Sequence, residues 1–176
     1  MLLNVLILVG SGDADSHSLH LGQAISHQLQ QQNCQTEIVN LITSGLPLYD
    51  RSLERDETYD ETTRSFLDRS YRADAFVWVT PIYHNSFSAI LKNALDWQHT
   101  KFPGKVVGLA SNGGNRSPQA VDQLMPIARA QHLISARTRV CADNDDFDEN
   151  KNLASADIIE RVNDFSTELI ELTKAL

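Results

Sequence analysis

The chain has 176 residues, of which 41% are hydrophobic and 22% charged. These proportions exclude disordered and fibrous classes, and the length suits one domain spanning residues 1–176. Asp and Glu number 23 against 15 Lys and Arg, and the resulting net charge of −8 argues against nucleic acid or an anionic membrane as partner.

Leu3 to Val9 is an apolar run that leads straight into Gly10-Ser11-Gly12 with no positively charged stretch before it. It reads as a buried strand rather than a signal peptide, and no run approaches the ~18 apolar residues of a spanning helix, so a cytoplasmic protein is expected. Leu21, Ala24, Ile25 and Leu29 then share one helical face. Cys34 and Cys141 are far apart and outside any Cys-x-x-Cys pattern. They exclude a disulfide scaffold and a zinc ribbon, suggest a reducing compartment, and read as packing residues.

A weaker strand is predicted from Gln35 to Val39, followed by a helix carrying Tyr59, Phe66 and Leu67. Ala75 to Thr80 is a third strand, followed by a helix with Phe87, Ile90, Leu91, Ala94 and Leu95 on one face. Val106 to Ser111 is a fourth, followed by a helix bearing Val121, Leu124, Met125 and Ala128, which Pro126 is predicted to kink or interrupt. Arg137 to Cys141 is a candidate fifth strand. Asp143 to Glu149 carries five acids and reads as a solvated loop. A calcium loop starting at Asp143 needs glycine sixth and an acid twelfth, where Asp148 and Ala154 stand. Ile158, Val162, Phe165, Leu169, Leu172 and Leu176 then mark a long amphipathic helix. Alternating β-α units of this kind predict a parallel sheet covered by helices on both faces.

Ligands of such sheets bind beyond the carboxyl ends of the strands. Three turns qualify. Gly10 to Ser18 offers glycines and the hydroxyls of Ser11, Ser16 and Ser18 ahead of a helix N-terminus, a plausible phosphate cradle. It lacks the Gly-Lys-Ser/Thr of a Walker loop, and Asp15 stands at the third glycine of a dinucleotide fingerprint, so an ordinary serine-capped turn competes with the cradle. The second turn, Thr80 to Ser86, begins with the stiffening Pro81 and continues through Ile82, Tyr83, His84 and Asn85, whose backbone groups can line the edge of a planar heterocycle. Tyr83 reads equally as an aromatic covering the core. The third, Ser111 to Ser117, contains Gly113 and Gly114, which permit close approach to something flat or simply a flexible connection. Of the histidines, His84 is the one placed to donate a proton near neutral pH, with a surface role as the competing reading. His17, His20, His27, His99 and His132 read as scattered surface residues.

Thr80-Pro81-Ile82-Tyr83-His84-Asn85-Ser86, continued by Leu91-Lys92-Asn93-Ala94-Leu95-Asp96-Trp97, resembles the Pro-x-Tyr-Asn motif and the Leu-Lys-Asn-x-x-Asp-Trp helix of the NADPH-dependent FMN reductase family. Gly10-Ser11 with Ser16 and Ser18 resembles that family's phosphate loop, and Leu46 to Asp50 its segment after strand two. The resemblance implies a flavodoxin-like three-layer α/β/α sandwich with a five-stranded parallel sheet of order 2-1-3-4-5. It implies non-covalent FMN, with its phosphate on Ser11, Ser16 and Ser18. The flavin ring is then expected between Pro81, Ile82, Tyr83, His84 and Asn85 on one side and Ser111, Gly113 and Gly114 on the other. It further implies NADPH or NADH as donor, a small acceptor such as a quinone, azo dye or flavin, and a homodimer or homotetramer. Two positions depart from the pattern: Asp13 replaces the phosphate-loop arginine, and His84 replaces the asparagine of Pro-x-Tyr-Asn. A carboxylate repels phosphate where arginine grips it. A flavodoxin-type electron carrier and a flavin-free binding protein on the same fold are the alternatives.

Overall fold

In a parallel sheet each strand must be covered on both faces, and the strands here are apolar on both. β1 (Leu3–Val9), β3 (Ala75–Pro81) and β4 (Val106–Asn112) form the centre, and every residue of β3 and β4 is buried. β2 (Cys34–Asn40) lies at one edge, where its outer residues alternate with exposed positions. The structure is a computed structural model describing residues 2–98 and 102–176; His99 falls outside the described residues. All pairs are parallel, as expected from the alternating units, and with β5 (Ile134–Ser135) the sheet order is β2-β1-β3-β4-β5, as the family resemblance implied. Val9 is level with both Asn40 and Val79, and Val79 with Ala110. The ends of the central strands therefore share one rim.

Side-chain alternation along the strands divides the core in two. Val5, Ile7, Val9, Val77 and Val79 face α1 (His17–Gln31) and α6 (Ala156–Ala175), meeting Leu21, Ile25 and Leu29 from the first helix and Ile158, Val162, Phe165 and Leu169 from the second. Leu6, Leu8, Phe76, Trp78, Val107 and Leu109 face the other way. There they pack on α3 (Glu61–Arg72), α4 (Ala89–Trp97) and α5 (Gln119–Ala130).

Several local expectations are corrected. The fifth strand is two short pieces, β5 (Ile134–Ser135) and β6 (Val140–Ala142), each paired with β4. An additional short helix, α2 (Arg51–Asp56), precedes α3, and Tyr59 and Phe87 lie just ahead of the helices they were assigned to. Pro126 sits inside α5 without ending it. The residue is exposed, so the carbonyl that loses its partner faces water. Met125 is also exposed rather than part of the buried stripe, as is Leu176 beyond the end of α6.

The interrupted edge is held by Glu168 of α6. Its carboxylate accepts the backbone N–H groups of Arg137 at 3.0 Å and Thr138 at 2.8 Å, in the stretch joining β5 to β6. Burial disfavours ionisation of Glu168, but the hydrogen bonds from Thr138 and Arg137 outweigh it and hold the carboxyl at about 2, against 4.5 for the free group. A depressed folded-state value stabilises the fold above pH 4.5, and that stability is lost as pH falls toward 2. Glu168→Gln is therefore expected to cost on the order of 2 kcal/mol at pH 7 and little near pH 2. Denaturant melts across that range check this; equal losses at both ends contradict it.

Candidate functional site

Three turns meet at the rim. The first runs from Gly10 to Ser16, the N-cap of α1, whose Oγ accepts the Leu19 N–H at 3.2 Å. That bond leaves the Ser16 hydroxyl hydrogen free to donate outward. The amides of His17 and Ser18 open α1 and have no carbonyl four residues back within the helix. No acidic residue occupies the first turn of α1, so its positive end is uncompensated there. Ser11 and Ser18 are both buried, and Ser11 Oγ accepts the Asp13 N–H at 3.2 Å.

The second turn is a tight reversal. Tyr83 and Ser86 exchange backbone hydrogen bonds of 2.9 and 3.0 Å, leaving His84 and Asn85 at its tip with φ of +51° and +62°. Two successive positive φ values are the signature of a type I′ turn, where Asn and His are among the most tolerated side chains. This explains the His84 departure: the backbone there demands left-handed geometry, which histidine adopts as asparagine does. Both side chains are exposed. The turn is anchored from behind by Ser88, the N-cap of α4. Its Oγ donates to the Gly10 carbonyl, and its N–H donates to Thr80 Oγ1 at 3.0 Å.

The third turn leaves β4 through Gly113 (φ +106°) and Gly114 (φ +64°), backbone that only glycine adopts freely. Ser111, the last-but-one residue of β4, is fully buried, and its Oγ has no hydrogen-bond partner among the described residues. The turns touch one another directly. The Gly12 N–H donates to the Tyr83 hydroxyl at 3.3 Å, and the Ile82 N–H donates to the Asn112 carbonyl at 3.0 Å. A Cβ on Gly114 would stand 3.1 Å from Ile82 Cδ1. All the residues expected to form the site, Ser11, Ser16, Ser18, Pro81 to Asn85, Ser111, Gly113 and Gly114, thus lie on this one rim.

The segment 143–153, of which Asp143 to Glu149 was expected to be a solvated loop, is a structural strap. Asp146 is buried, and both of its carboxylate oxygens bind the Arg116 guanidinium, with Nε to Oδ2 at 2.9 Å. Asp157 takes the other side of Arg116 at 2.6 Å. Asn144 accepts from Asn112 Nδ2 at 2.8 Å, and the Gly113 N–H donates to the Ala142 carbonyl at 2.8 Å. At the far end Phe147 packs on His17, ring centroids 5.0 Å apart, and Lys151 Nζ reaches Asp15. The strap joins the third turn to the first. Asp15 is held at about 2 by hydrogen bonds from Lys151 and His20. His20 is therefore partnered by Asp15 of the first turn and His17 by Phe147 of the strap, so neither is a scattered surface residue.

The Leu-Lys-Asn-x-x-Asp-Trp helix has a clear structural role. Asn93 accepts the Tyr49 N–H at 2.7 Å, and both Asn93 Nδ2 and Trp97 Nε1 donate to the Pro47 carbonyl at 2.8 Å. The motif pins the Leu46–Asp50 segment, while Lys92 and Asp96 form an i,i+4 pair at 2.6 Å on its outer side. Ser88, Asp146 and Lys151 escaped sequence reasoning. Only Ser88 left a signal, a serine three residues before Leu91 at the start of an apolar helix.

The sequence matches the family described as NADPH-dependent FMN reductase over residues 3–147. The chain belongs to the NADPH-dependent FMN reductase family. It is 33% identical over 146 residues to an FMN-dependent NADPH-azoreductase of Staphylococcus saprophyticus, covering 81% of this chain and 78% of that one. It is 32% identical over 152 residues to the FMN-dependent NADPH-azoreductase of Staphylococcus aureus, covering 84% and 80%. Its fold is similar to FerB, a flavoenzyme NAD(P)H:(acceptor) oxidoreductase from Paracoccus denitrificans, with a TM-score of 0.82 and 17% identity across 99% of this chain and 98% of that one. As a member of the family, this reductase is an oxidoreductase that uses FMN and an NAD(P)H donor, and its fold is the flavodoxin-like sandwich with sheet order 2-1-3-4-5.

Hydrogen bonds from Arg116 overcome the opposing effect of burial and hold the Asp146 carboxyl below its usual 3.8. The stabilisation is thus present above pH 3.8 and disappears as pH falls below it. Asp146→Asn is expected to destabilise the fold by roughly 2 kcal/mol at neutral pH and to loosen the third turn. Trypsin should then cut after Arg116 faster than in the parent protein; equal cleavage rates contradict the strap.

Proposed function

We propose that the three-turn rim holds FMN without a covalent bond. On this reading the phosphate lies on Ser11, Ser16, Ser18 and the opening amides of α1. The flavin ring lies between Pro81 to Asn85 and the Ser111, Gly113 and Gly114 turn. The observation that carries the reading is the direct contact among turns of complementary character: a helix N-terminus with three serines nearby and no acid in its first turn, an aromatic-bearing reversal, and a glycine pair beside a buried hydroxyl with no partner among the described residues. A phosphorylated, flat, amide-rich ring matches that set.

When bound there, FMN would supply the two-electron chemistry that links a nicotinamide donor to the acceptor. The protein's part is to position and to exclude. Tyr83, fixed through its hydroxyl to the Gly12 amide, walls one side of the slot. Backbone groups of the second and third turns would hold the ring edge, and His84, exposed at the tip of the second turn, would be the side chain to pass a proton to an incoming acceptor. The acceptor is a small molecule of quinone, azo or flavin type, in keeping with the azoreductases it resembles. Two free cysteines suit a cytoplasmic setting, and the exposed Leu48, Tyr83 and Met125 offer apolar surface to a homodimer or homotetramer. Residues 1–176 act as one FMN-binding domain.

The purified protein is expected to absorb near 450 nm and to oxidise NADPH steadily when a quinone or azo dye is supplied; a colourless protein that FMN leaves colourless contradicts the reading. Ser11→Asp puts a further carboxylate in the cradle and is expected to abolish FMN binding, whereas Asp13→Arg is expected to tighten it. Fluorescence titration measures both, and unchanged retention by Ser11→Asp would show that the phosphate sits elsewhere.

A further inference from the structure

The first turn presents an electrostatic difficulty for any phosphate. Asp13 and Asp15 both carry carboxylates beside the cradle, and no Lys or Arg lies between Gly10 and Ser18. The Asp13 carboxylate is drawn into its own turn, accepting the Asp15 N–H at 3.0 Å. Asp15 is clasped from both sides: His20 Nε2 lies 2.9 Å from Oδ1, and Lys151 Nζ lies 2.7 Å from Oδ2. Lys151 also donates to the Asp15 carbonyl oxygen. The lysine thus crosses 136 positions of sequence to reach the backbone immediately before the N-cap of α1.

The strap is built to deliver it. Lys151 stands in left-handed geometry (φ +60°) at the tip of a reversal closed by the Phe147–Leu153 bridge. Asp148 holds the reversal by accepting the N–H groups of Asn150 at 2.9 Å and Asn152 at 2.8 Å. Phe147 seats the base of the reversal on His17. An ammonium group has three donors, and Asp15 engages two. The side chain remains one-third exposed, and no further acceptor takes the third donor among the described residues.

We propose that Lys151 supplies the cationic contact to the FMN phosphate that the first turn lacks in its own sequence. The proposal rests on the reading of this rim as the FMN site and assigns it a residue beyond the 3–147 span of the family match. Asp15 then serves as the lysine's anchor rather than as a second repelling charge, and the strap becomes part of the binding site.

The test is titration of the full chain, stripped of flavin, with FMN and separately with riboflavin, which has the same ring and no phosphate. Lys151→Gln is expected to weaken FMN about tenfold to a hundredfold while changing riboflavin affinity less than about twofold, with Lys151→Arg recovering most of the loss. Equal weakening of both ligands would show that Lys151 merely pins the strap, and unchanged FMN affinity would show that it does not meet the phosphate; either result overturns the proposal. If the unsubstituted protein bound FMN no better than riboflavin, the placement of the phosphate on the first turn would itself fail. A circular dichroism spectrum of each variant confirms that the fold compared is the same.

Discussion

Parallel pairing of β1, β3 and β4 sends every strand-to-helix turn of the sheet centre to one edge. An antiparallel neighbour would send its turn to the opposite end. Here Val9, Val79 and Ala110 are level, and β3 and β4 each extend two residues farther, to Pro81 and Asn112. That small stagger brings the Ile82 amide onto the Asn112 carbonyl and the Tyr83 hydroxyl onto the Gly12 amide. A register slip of one residue would turn each strand's side chains to the other face and part these contacts. The two-sided core makes such a slip costly, since Val77 and Val79 face one helix layer and Phe76 and Trp78 the other. The packing of the sheet therefore fixes the geometry of the rim.

Charge sets the second constraint. The chain is acidic overall, yet its ligand carries a phosphate. The fold answers locally, by assigning acids to partners. Asp146 binds Arg116, Asp15 is clasped by Lys151 and His20, and Asp13 caps its own turn. What remains at the cradle is the positive end of α1 and three serine hydroxyls. The strap from 143 to 153 thereby joins the glycine turn to the first turn through a single stretch of chain, and on the proposed reading its acidic residues support the phosphate site.

Much of this was legible in the sequence. The strand starts at Leu3, Ala75 and Val106 and the parallel pairing followed from apolar runs and β-α alternation, and the strand order from the family resemblance. The rim residues followed from where glycines, serines and the Pro81–Asn85 stretch fall relative to those runs. What escaped was what depends on contacts remote in sequence. The strap looked like a solvated acidic loop because nothing in Asp143 to Glu149 shows that Asp146 will meet an arginine 30 positions earlier. The fifth strand split because its pairing is shared between two short pieces held by Glu168, a long-range tether with no local signature. Pro126 was expected to kink or interrupt α5, and the helix runs through it on an exposed face, where the carbonyl that loses its partner can bind water. His84 looked like a departure from the motif until its positive φ showed that the position is governed by backbone conformation.

The most direct test of the account is a crystal structure of the protein with FMN. The account places phosphate oxygens within hydrogen-bond reach, about 3 Å, of the Ser16 and Ser18 hydroxyls and the His17 amide. It places the ring against Tyr83 and the Gly113-Gly114 turn. Electron density for the flavin anywhere else on the molecule, or a rim closed by the protein's own side chains while FMN is bound, would contradict it.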